Sequence, residues 1–531
     1  YKIGDNGDII FRDSDGSMYK FSKNTEGNYT CNETKDYELI ETDKTEKYET
    51  EDKEGKTEIY ELRDYYEITT KDNTIYRFNK SGQLIAITNP VEQVENPYNT
   101  FLIYTYDNKG RLSKVMSNST LAIDLKYKSE TGSDALLLSN IKLPDETTLS
   151  YNYENNYLTE FKHSSGIMES VSYKFKYNTD KYLSEVKDAE GNPYSISYTG
   201  EKANIVTYPN GETYNLAYTS GTKTSMTKKN ENKVEVYTES TEFDSNTGKI
   251  TKETDASGNI KEYFYKNSNE FLVTSTKETV QYQELDGSNI VKFKTKVLET
   301  KTEYDDNENI SEEIDEEGNV TTYNYNDPDV PNAPTSVITK ASDGSIISNE
   351  SYKYDDLGNV KEEKDLISNK IAQYEYDDNG NNTNIIEEIS SNSKSSNGTI
   401  KSLESTTSYD ENGNEIIQTE TSANLESNIE NEYDAMGRVV KSTDIKSGEV
   451  KVYTYDFLGR VTKTSTTISG QTKIETKSYN KNGTVVAERD VDGITKSYTF
   501  DSLNRLLTTN MIKGSNSLNT RNEYAYGDVS I

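Results

Sequence analysis

Aromatic residues recur along most of this chain in pairs separated by one polar residue. Since a strand has a side-chain period of two, both aromatics of a pair lie on one face of a sheet, and the polar residue between them lies on the other. Runs rich in Thr, Lys, Val and Ile follow, as in residues 460–466, and are typical of return strands. Helical periodicity is nearly absent, so the pattern predicts amphipathic β-strands. The pairs are Tyr151/Tyr153, Phe175/Tyr177, Tyr263/Tyr265, Tyr323/Tyr325, Tyr374/Tyr376, Tyr498/Phe500 and Tyr524/Tyr526.

A short turn motif follows many of these strands: an aromatic residue, Asp, two variable residues, Gly, then Asn or Arg and an aliphatic residue. The Asp suits the first position of a type I turn, where its carboxylate accepts a hydrogen bond from the backbone two residues on, and the Gly suits the left-handed position that follows. The motif therefore predicts a hairpin with a bulge, and its residues are predicted to be structural. The clear copies contain Tyr106, Asp107 and Gly110; Tyr354, Asp355 and Gly358; Tyr376, Asp377 and Gly380; Tyr409, Asp410 and Gly413; Tyr433, Asp434 and Gly437; Tyr455, Asp456 and Gly459.

The motif returns at a nearly constant interval. From residue 354 onward its aromatic residues stand at 354, 376, 409, 433, 455, 479 and 500, so the steps are 22, 33, 24, 22, 24 and 21. A polar insertion at residues 390–398 accounts for the long step and predicts an exposed loop. An unbroken series of hairpins forms one antiparallel sheet, and its twist makes a sheet of this length curl. The predicted fold is all-β: repeated hairpins form a long sheet that spirals into a hollow shell or barrel.

The first hundred residues follow the pattern less regularly. Residues 1–97 are predicted to be a β-rich segment with degenerate repeats, and residues 98–531 to be the regular repeat sheet, continuous with it. The charged stretch 41–58 predicts a solvated strand or loop. Prolines at 328, 331 and 334 mark an irregular connection, which is too short to argue for a domain boundary.

Composition explains how such a polar chain folds. The 531 residues carry a formal net charge of −33, only 31% are hydrophobic, and the mean hydropathy is −0.92, values near those of disordered chains. The 43 tyrosines change this picture, because each one has a large apolar body and a polar tip. We expect an interior built largely from tyrosine, whose hydroxyl groups find partners in water, in each other or in a cargo.

Several functional classes are disfavoured. His163 and Cys31 are the only residues of their types, so a usual zinc site, an intrachain disulfide and a His-dependent catalytic triad are not expected. His163 is interpreted as a solvated turn residue. The acidic charge disfavours nucleic acid, and no run approaches the 18 apolar residues of a membrane span. The many carboxylates single out no glycosidase pair, so we predict no enzymatic activity and no catalytic residue.

Acidic turns raise the alternative of calcium binding. Residues 13–16, 315–319 and 410–414 place side-chain oxygens at alternate or adjacent positions, as calcium loops do. None of them completes the twelve-residue pattern with its terminal Glu, and the turn requirement explains the same residues. We therefore predict no cofactor and no metal site, with calcium as the alternative.

The repeated Tyr-Asp-x-x-Gly-(Arg/Asn)-aliphatic unit resembles the YD repeat of the Rhs family. This family includes bacterial Rhs and wall-associated proteins, the B and C components of insecticidal toxin complexes, and the teneurins. The resemblance is strong from Tyr104 onward, and residues 72–84 are similar to the degenerate units that often precede regular ones. It implies a β-ribbon wound into a hollow cocoon. Family shells often end in a core region with aspartates that cleave the cargo free. The last part of this chain, from residue 522 onward, does not contain that motif, so no autoprotease residues are assigned.

The resemblance implies a function and a partner. We expect a non-enzymatic shell segment of a secreted or surface protein, extracellular or cell-wall associated in a bacterium, that contains and presents a C-terminal effector polypeptide of the same parent protein. The chain begins at Tyr1 and is interpreted as an excised piece of shell wall. The alternative is an extracellular adhesion module that binds a cell-surface carbohydrate or protein. No nucleic acid and no membrane span are expected.

Overall fold

The computed structural model describes most of the chain. It covers residues 2–3, 7–13, 16–31, 37–51, 57–70, 74–88, 101–117, 121–129, 131–166, 170–219, 221–267, 270–285, 291–355, 358–377, 380–391, 398–410, 414–422 and 426–522. These residues form strands and no helix. Accordingly, no described segment provides a helix long and apolar enough to cross a membrane.

The strands are short in most of the chain, with a few long hairpins. The first half contains β1 Lys2–Ile3, β2 Asp8–Arg12, β3 Met18–Lys23, β4 Tyr29–Cys31, β5 Tyr37–Glu51, β6 Thr57–Thr70, β7 Ile75–Asn79, β8 Leu84–Thr88, β9 Phe101–Tyr106, β10 Leu112–Ser117, β11 Ala122–Tyr127, β12 Leu138–Lys142, β13 Thr148–Glu154, β14 Tyr157–Ser164, β15 Ser170–Tyr177, β16 Leu183–Lys187, β17 Pro193–Thr199, β18 Lys202–Thr207, β19 Thr213–Thr219, β20 Lys223–Lys229, β21 Glu235–Phe243 and β22 Ile250–Thr254.

The second half continues the same series. It contains β23 Ile260–Tyr265, β24 Val273–Leu285, β25 Val291–Tyr304, β26 Ile310–Ile314, β27 Val320–Asn324, β28 Ser336–Lys340, β29 Ile346–Tyr354, β30 Val360–Asp365, β31 Lys370–Tyr376, β32 Asn382–Ser391, β33 Gly398–Tyr409, β34 Glu415–Ser422, β35 Glu426–Tyr433, β36 Val439–Asp444, β37 Glu449–Tyr455, β38 Val461–Ile468, β39 Gln471–Tyr479, β40 Val485–Arg489, β41 Thr495–Phe500, β42 Leu506–Lys513 and β43 Asn516–Arg521.

One antiparallel sheet of 39 strands runs from β5 to β43, and each strand pairs with the next one along the chain. The all-β hairpin fold expected from the sequence is confirmed. Within the described residues the sheet is not closed by pairing of β5 with β43. The β8–β9 pairing, with Ala86 opposite Ile103, carries the sheet from the degenerate segment into the regular repeats.

The sheet has two different faces along most of its length. In β37, Tyr453 and Tyr455 are half-buried, whereas Val452 before them and Thr454 between them are exposed. We call the side that carries the paired aromatics the tyrosine face and the other side the polar face. Most of the sheet is a single layer, so partial burial comes from neighbouring side chains on the same face.

A conventional core forms only near the N-terminal end of the described chain. The small sheet β1–β4 packs on the tyrosine face of β5–β7, where Phe21 and Ile9 meet Leu39, Tyr66 and Ile68. Phe21 is 1% exposed and Ile68 is 2% exposed. Burial of this kind stabilises by about 1.5–3 kcal/mol for each large apolar side chain.

The β5–β6 hairpin covers the opposite face of the same region. The pairing shifts between Thr42 and Thr45, and Asp64 opposite has a φ of +51°, which bends the hairpin. Beyond the bend, Tyr48 packs on Phe101 with ring centroids 4.8 Å apart and contributes to a second core cluster that includes Ile103. The stretch 41–58, expected to be solvated, therefore contains a buried aromatic residue, because the bend folds it back onto the sheet.

Candidate functional site

The aspartate of the turn motif organises each hairpin loop. In the loop between β37 and β38, Asp456 Oδ1 accepts hydrogen bonds from the backbone N–H groups of Leu458 and Arg460, both at 3.0 Å. The backbone N–H of Gly459 donates to the Asp456 carbonyl at 3.0 Å, and Gly459 has a φ of +79°. This geometry is a type I turn followed by a left-handed residue, with the side chain closing it from within.

The residue after the glycine completes the same loop. Arg460 Nε donates to Asp456 Oδ2 at 2.7 Å, and in the β29–β30 loop Asn359 Nδ2 donates to Asp355 Oδ2 at 3.0 Å. An Asp bonded in this way has both oxygens satisfied within its own turn. The same bond joins Arg111 to Asp107, Arg438 to Asp434, Arg505 to Asp501, Asn381 to Asp377 and Asn414 to Asp410.

The tyrosine of each motif joins its hairpin to the preceding one. Tyr455 Oη donates to the Val439 carbonyl at 2.7 Å, and Tyr479 Oη donates to the Val461 carbonyl at 2.8 Å. The acceptor is the first residue of the previous return strand, so successive hairpins are connected by one repeated hydrogen bond. The same bond joins Tyr106 to Leu84, Tyr376 to Val360, Tyr409 to Asn382 and Tyr433 to Glu415, and Tyr354 makes the corresponding bond to Pro334, two residues before β28.

The arginine of the motif also reaches the next hairpin. The Arg460 guanidinium lies 4.6 Å from the Tyr479 ring centroid, and its Nη1 donates to the Asn480 carbonyl at 2.9 Å. Arg438 over Tyr455 at 5.0 Å and Arg111 over Tyr127 at 4.4 Å repeat the stacking. Cation–π contacts of this kind stabilise by about 0.5–1 kcal/mol at partly exposed sites. The Asp, the Arg or Asn, and the next Tyr together form what we call the turn spine.

The first tyrosine of several aromatic pairs has a different partner. Tyr323 Oη donates to Glu313 at 2.7 Å, and Tyr498 Oη donates to Glu488 at 2.7 Å. Burial, followed by the hydrogen bond to the carboxylate, raises the pKa of each of these tyrosines to about 12. Tyrosine hydroxyls were expected to need water, each other or a cargo, but these find partners in the wall itself.

The opposite ends of the strands carry a second set of aspartate turns. Asp188, Asp255 and Asp315 each accept two backbone N–H groups at Oδ1 and an Asn side chain at Oδ2. We call the end of the sheet with the Tyr-Asp turns the YD edge and the other end the second edge. Because its carboxylate is already engaged in the turn, Asp315 serves as a turn cap, which is the structural explanation of the calcium-like pattern.

The two edges of the sheet meet. Asn482, in a turn at the YD edge, donates from Nδ2 to Asp188 Oδ2 at 2.9 Å, and the Lys481 backbone N–H donates to Glu190 Oε1 at 2.6 Å. The residues of the first bond are 294 positions apart. His163 and Phe457, separated by the same number of positions, lie with ring centroids 5.4 Å apart. The ribbon therefore coils back so that the second edge of one winding rests on the YD edge of a later one.

Buried polar residues lie at the second-edge turns of the earlier winding. Thr147, Glu212 and Asn230 are 5%, 3% and 5% exposed. Lys228 lies 3.6 Å from the Glu212 carboxylate and partly compensates its charge. His163 lies in β14 and not in a turn; its Nε2 is 3.0 Å from Thr147 Oγ1, and burial lowers its pKa.

Charged side chains hold the N-terminal core in place. Glu41 on β5 binds Lys80 at 2.8 Å and Lys23 of the small sheet at 2.9 Å. The hydrogen bonds from Lys80 and then Lys23 lower the pKa of Glu41 to about 2. On the other face, Arg77 is 6% exposed and lies 3.1 Å from Glu46 and 3.0 Å from Glu67, so the folded-back hairpin is fixed by a buried ion pair.

The predicted turn residues are thus placed together in one repeated arrangement, except those outside the described residues. Gly413 lies outside them, as do Tyr524 and Tyr526, residues 14 and 15, and most of the polar insertion at 390–398. Sequence reasoning missed the role of the Arg or Asn after the glycine, although its fixed place in the motif was the available signal. The described residues contain no group of three or more His, Cys, Asp or Glu that could hold a metal ion.

The coiled antiparallel sheet and its repeated turns define the class of fold, which is a long ribbon of sequential β-hairpins. The comparison with solved structures then gives particular counterparts. The chain is similar to the crystal structure of TcdB2-TccC3-TEV, with a TM-score of 0.53, 12% identity, and coverage of 98% of this chain and 30% of that one. It is similar to TcdB2-TccC3, with a TM-score of 0.51, 12% identity, and coverage of 97% and 32%.

A third similar structure is the Tc holotoxin pore of Photorhabdus luminescens with a substitution in TccC3, with a TM-score of 0.51, 13% identity, and coverage of 97% and 30%. The resemblance found in the sequence is confirmed at the level of the fold. The chain spans about a third of the length of these structures. No protein-family model matches the sequence. No curated protein matches it.

Proposed function

We propose that this chain is a wall segment of an extracellular shell that contains a polypeptide, the C-terminal effector of the same parent protein. One observation carries the proposal: the ribbon meets itself after 294 residues through the Asn482–Asp188 bond, so successive windings form a continuous curved wall. The fold shared with TcdB2-TccC3 structures supports it.

Containment by such a wall is steric. Backbone groups are paired laterally by strand ladders, motif tyrosines are bonded to neighbouring hairpins, and turn carboxylates are bonded within their loops. A wall whose polar groups are already satisfied offers a polypeptide few strong contacts, so it separates the polypeptide from outside partners without a specific binding site. No catalytic group is needed for this role.

The test is protection of an appended segment. A flexible C-terminal extension with a protease recognition sequence is fused to the chain, and its cleavage rate is compared with that of the free peptide. We expect slower cleavage in the fusion, and faster cleavage again when Asn482→Asp places a carboxylate against Asp188 at the contact between windings. Asn108→Asp, on an exposed turn, changes the net charge equally and serves as the control. Cleavage at the free-peptide rate in the fusion contradicts containment.

The adhesion alternative is favoured by one feature, an open cleft of 960 Å³ beside the small sheet. Its lining includes Tyr29, Asn28, Asp43, Asp64 and Glu41. Hydrogen-bonding side chains next to an aromatic ring suit a carbohydrate. Titration calorimetry with soluble cell-surface glycans tests it: heat of binding that Asp43→Ala removes supports adhesion, and no heat with any glycan leaves containment as the proposed function.

A further inference from the structure

The β24–β25 hairpin extends beyond the rest of the sheet. Its strands have 13 and 14 residues. β23 pairs with β24 only as far as Thr279, and β26 pairs with β25 only from Lys301 onward. Residues 280–285 therefore pair only with residues 291–296 among the described strands, and residues 297–300 have a lateral partner only on the β24 side. We call this two-stranded segment the free ribbon; it projects past the second edge.

The two faces of the free ribbon differ in charge. Directly paired residues in an antiparallel ladder lie on the same face, so the pairing with β24 assigns every position. On the face that continues the polar face, Phe293 is 73% exposed, and Val291 and Val297 are each 50% exposed. The other positions of that face between Val291 and Val297 are Gln281, Gln283 and Thr295, so this stretch carries no charge, and Glu299 is the next residue on the same face. The other face presents Lys292, Lys294 and Lys296, all exposed, with Tyr282 and Glu284, and Glu284 forms an ion pair with Lys294 that leaves this face with a net positive charge.

The outer edge of β25 is the more available of the two strand edges. On the β24 side, the Gln281 backbone N–H already donates to Asn259 Oδ1 at 2.8 Å, so the neighbouring turn caps part of that edge. A strand edge without a lateral neighbour is a template for another extended chain. A hairpin with only two strands is marginal in water, so a third strand would also stabilise it.

The lysine row disfavours pairing with a second copy in the registers that place the axis at residues 293–295. Two copies of β25 can pair antiparallel about a two-fold axis. Their apolar faces then form one continuous surface only when the axis passes through a residue and not between two residues. With the axis at Thr295, Lys294 lies opposite Lys296; with the axis at Phe293, Lys292 lies opposite Lys294. Like charges placed directly opposite each other are destabilising.

We propose that the outer edge of β25 binds an extended peptide segment in which acidic and apolar residues alternate. Acidic side chains of such a strand lie opposite Lys292, Lys294 and Lys296, while its apolar side chains extend the face of Val291, Phe293 and Val297. The ribbon concentrates positive charge in a chain with a net charge of −33, which gives an acidic segment one preferred place. This proposal does not depend on the containment role.

The test uses the whole chain and a fluorescein-labelled eight-residue peptide of alternating Glu and Val, followed by fluorescence anisotropy. We expect saturable binding that weakens as salt is raised and falls about tenfold or more in the double variant Lys292→Glu and Lys296→Glu. Lys473→Glu with Lys477→Glu on β39, also exposed, is the matched control and should leave binding unchanged. A Lys–Val peptide should instead bind the double variant.

Amide hydrogen exchange identifies the bound edge and keeps the test decisive if a variant misfolds. Protection of residues 291–299 in the unmodified chain on adding the Glu–Val peptide supports the proposal. Absent binding, equal binding by the double variant, or protection elsewhere overturns it. Concentration-dependent dimerisation that Phe293→Glu abolishes also overturns it, because the occupant would then be a second copy.

Discussion

At the scale of the residue, the turn spine explains why the motif has its composition. Asp is required because one carboxylate accepts backbone N–H groups with one oxygen and a side chain with the other, as Asp456 does. In a less regular copy of the motif, the side-chain oxygen of Asn480 accepts a backbone N–H in the same way. The aspartate and glycine roles were readable from the sequence because turn chemistry is local. The partner of Tyr479 was not, since it lies one hairpin away.

Substitution of Asp456 separates the two functions of its carboxylate. We expect Asp456→Ala to lower the free energy of local opening of β37–β38 by about 2 kcal/mol, because it removes backbone caps and the Arg460 bond together. Asp456→Asn keeps an acceptor for the backbone and should cost about half as much. Amide hydrogen exchange of residues 449–468 measures both, and equal protection in all three proteins would refute the proposed role of the turn.

The left-handed position gives a paired prediction. Gly380 has a φ of +77° and no atom within 4 Å of an added Cβ, so Gly380→Ala introduces backbone strain alone and should cost about 1 kcal/mol of local stability. Glu308 occupies the corresponding place with a φ of +66°. Glu308→Gly should therefore stabilise its hairpin by about 0.5 kcal/mol, read by the same exchange experiment. A stabilising Gly380→Ala or a destabilising Glu308→Gly would disprove the assignment.

At the scale of the element, the hairpin series was predictable and the exceptions were not. Period-two aromatic pairs and Asp-x-x-Gly turns indicated the strands from β9 onward. The fold-back of β5–β6 depends on a bend at Thr42 and Asp64. The surrounding sequence is highly charged and predicts a solvated segment, although Tyr48 within it is buried. The partners of Tyr48 come from strands far along the chain, and local pattern carries no information about them.

Acid should loosen the contact of the small sheet with the main sheet. The folded-state pKa of Glu41 is lowered to about 2, so its contribution to stability is present above its ordinary value of 4.5 and is lost as the pH falls toward 2. We expect hydrogen exchange in β2–β4 to accelerate between those values. Glu41→Gln should remove this dependence, and an unchanged pH profile in that variant would contradict the assignment.

Alkali should loosen the wall through its tyrosines. Tyr323 and Tyr498 hold their protons to a pKa of about 12 in the folded chain, against an ordinary 10. Their contribution to stability is therefore complete below pH 10 and is lost as the pH rises toward 12. Titration followed by tyrosinate absorbance should show a set of tyrosines that ionise well above pH 10. The double variant Glu313→Gln and Glu488→Gln should lower the number of tyrosines in that set, and an unchanged number would count against the Tyr–Glu pairs.

At the scale of the whole molecule, the sequence predicted that a long twisted sheet must curl, but not where it meets itself. The 294-residue return depends on the accumulated twist and curvature of many strands, and a short pattern does not encode that sum. The contact is made by Asn482 with Asp188 and by Lys481 with Glu190, which are ordinary turn residues that no local signal distinguishes from their counterparts in other repeats.

The return of the ribbon is the central claim, and energy transfer between two dyes tests it most directly. Ser195→Cys and Ser478→Cys, both on exposed strand positions near the contact, are labelled after Cys31→Ser. A flat sheet would separate β17 from β39 by roughly 100 Å at about 4.8 Å per strand. The account predicts efficient transfer from one narrow distance distribution, reduced by Asn482→Asp. Transfer no greater than background would mean that the windings do not meet and would contradict the account.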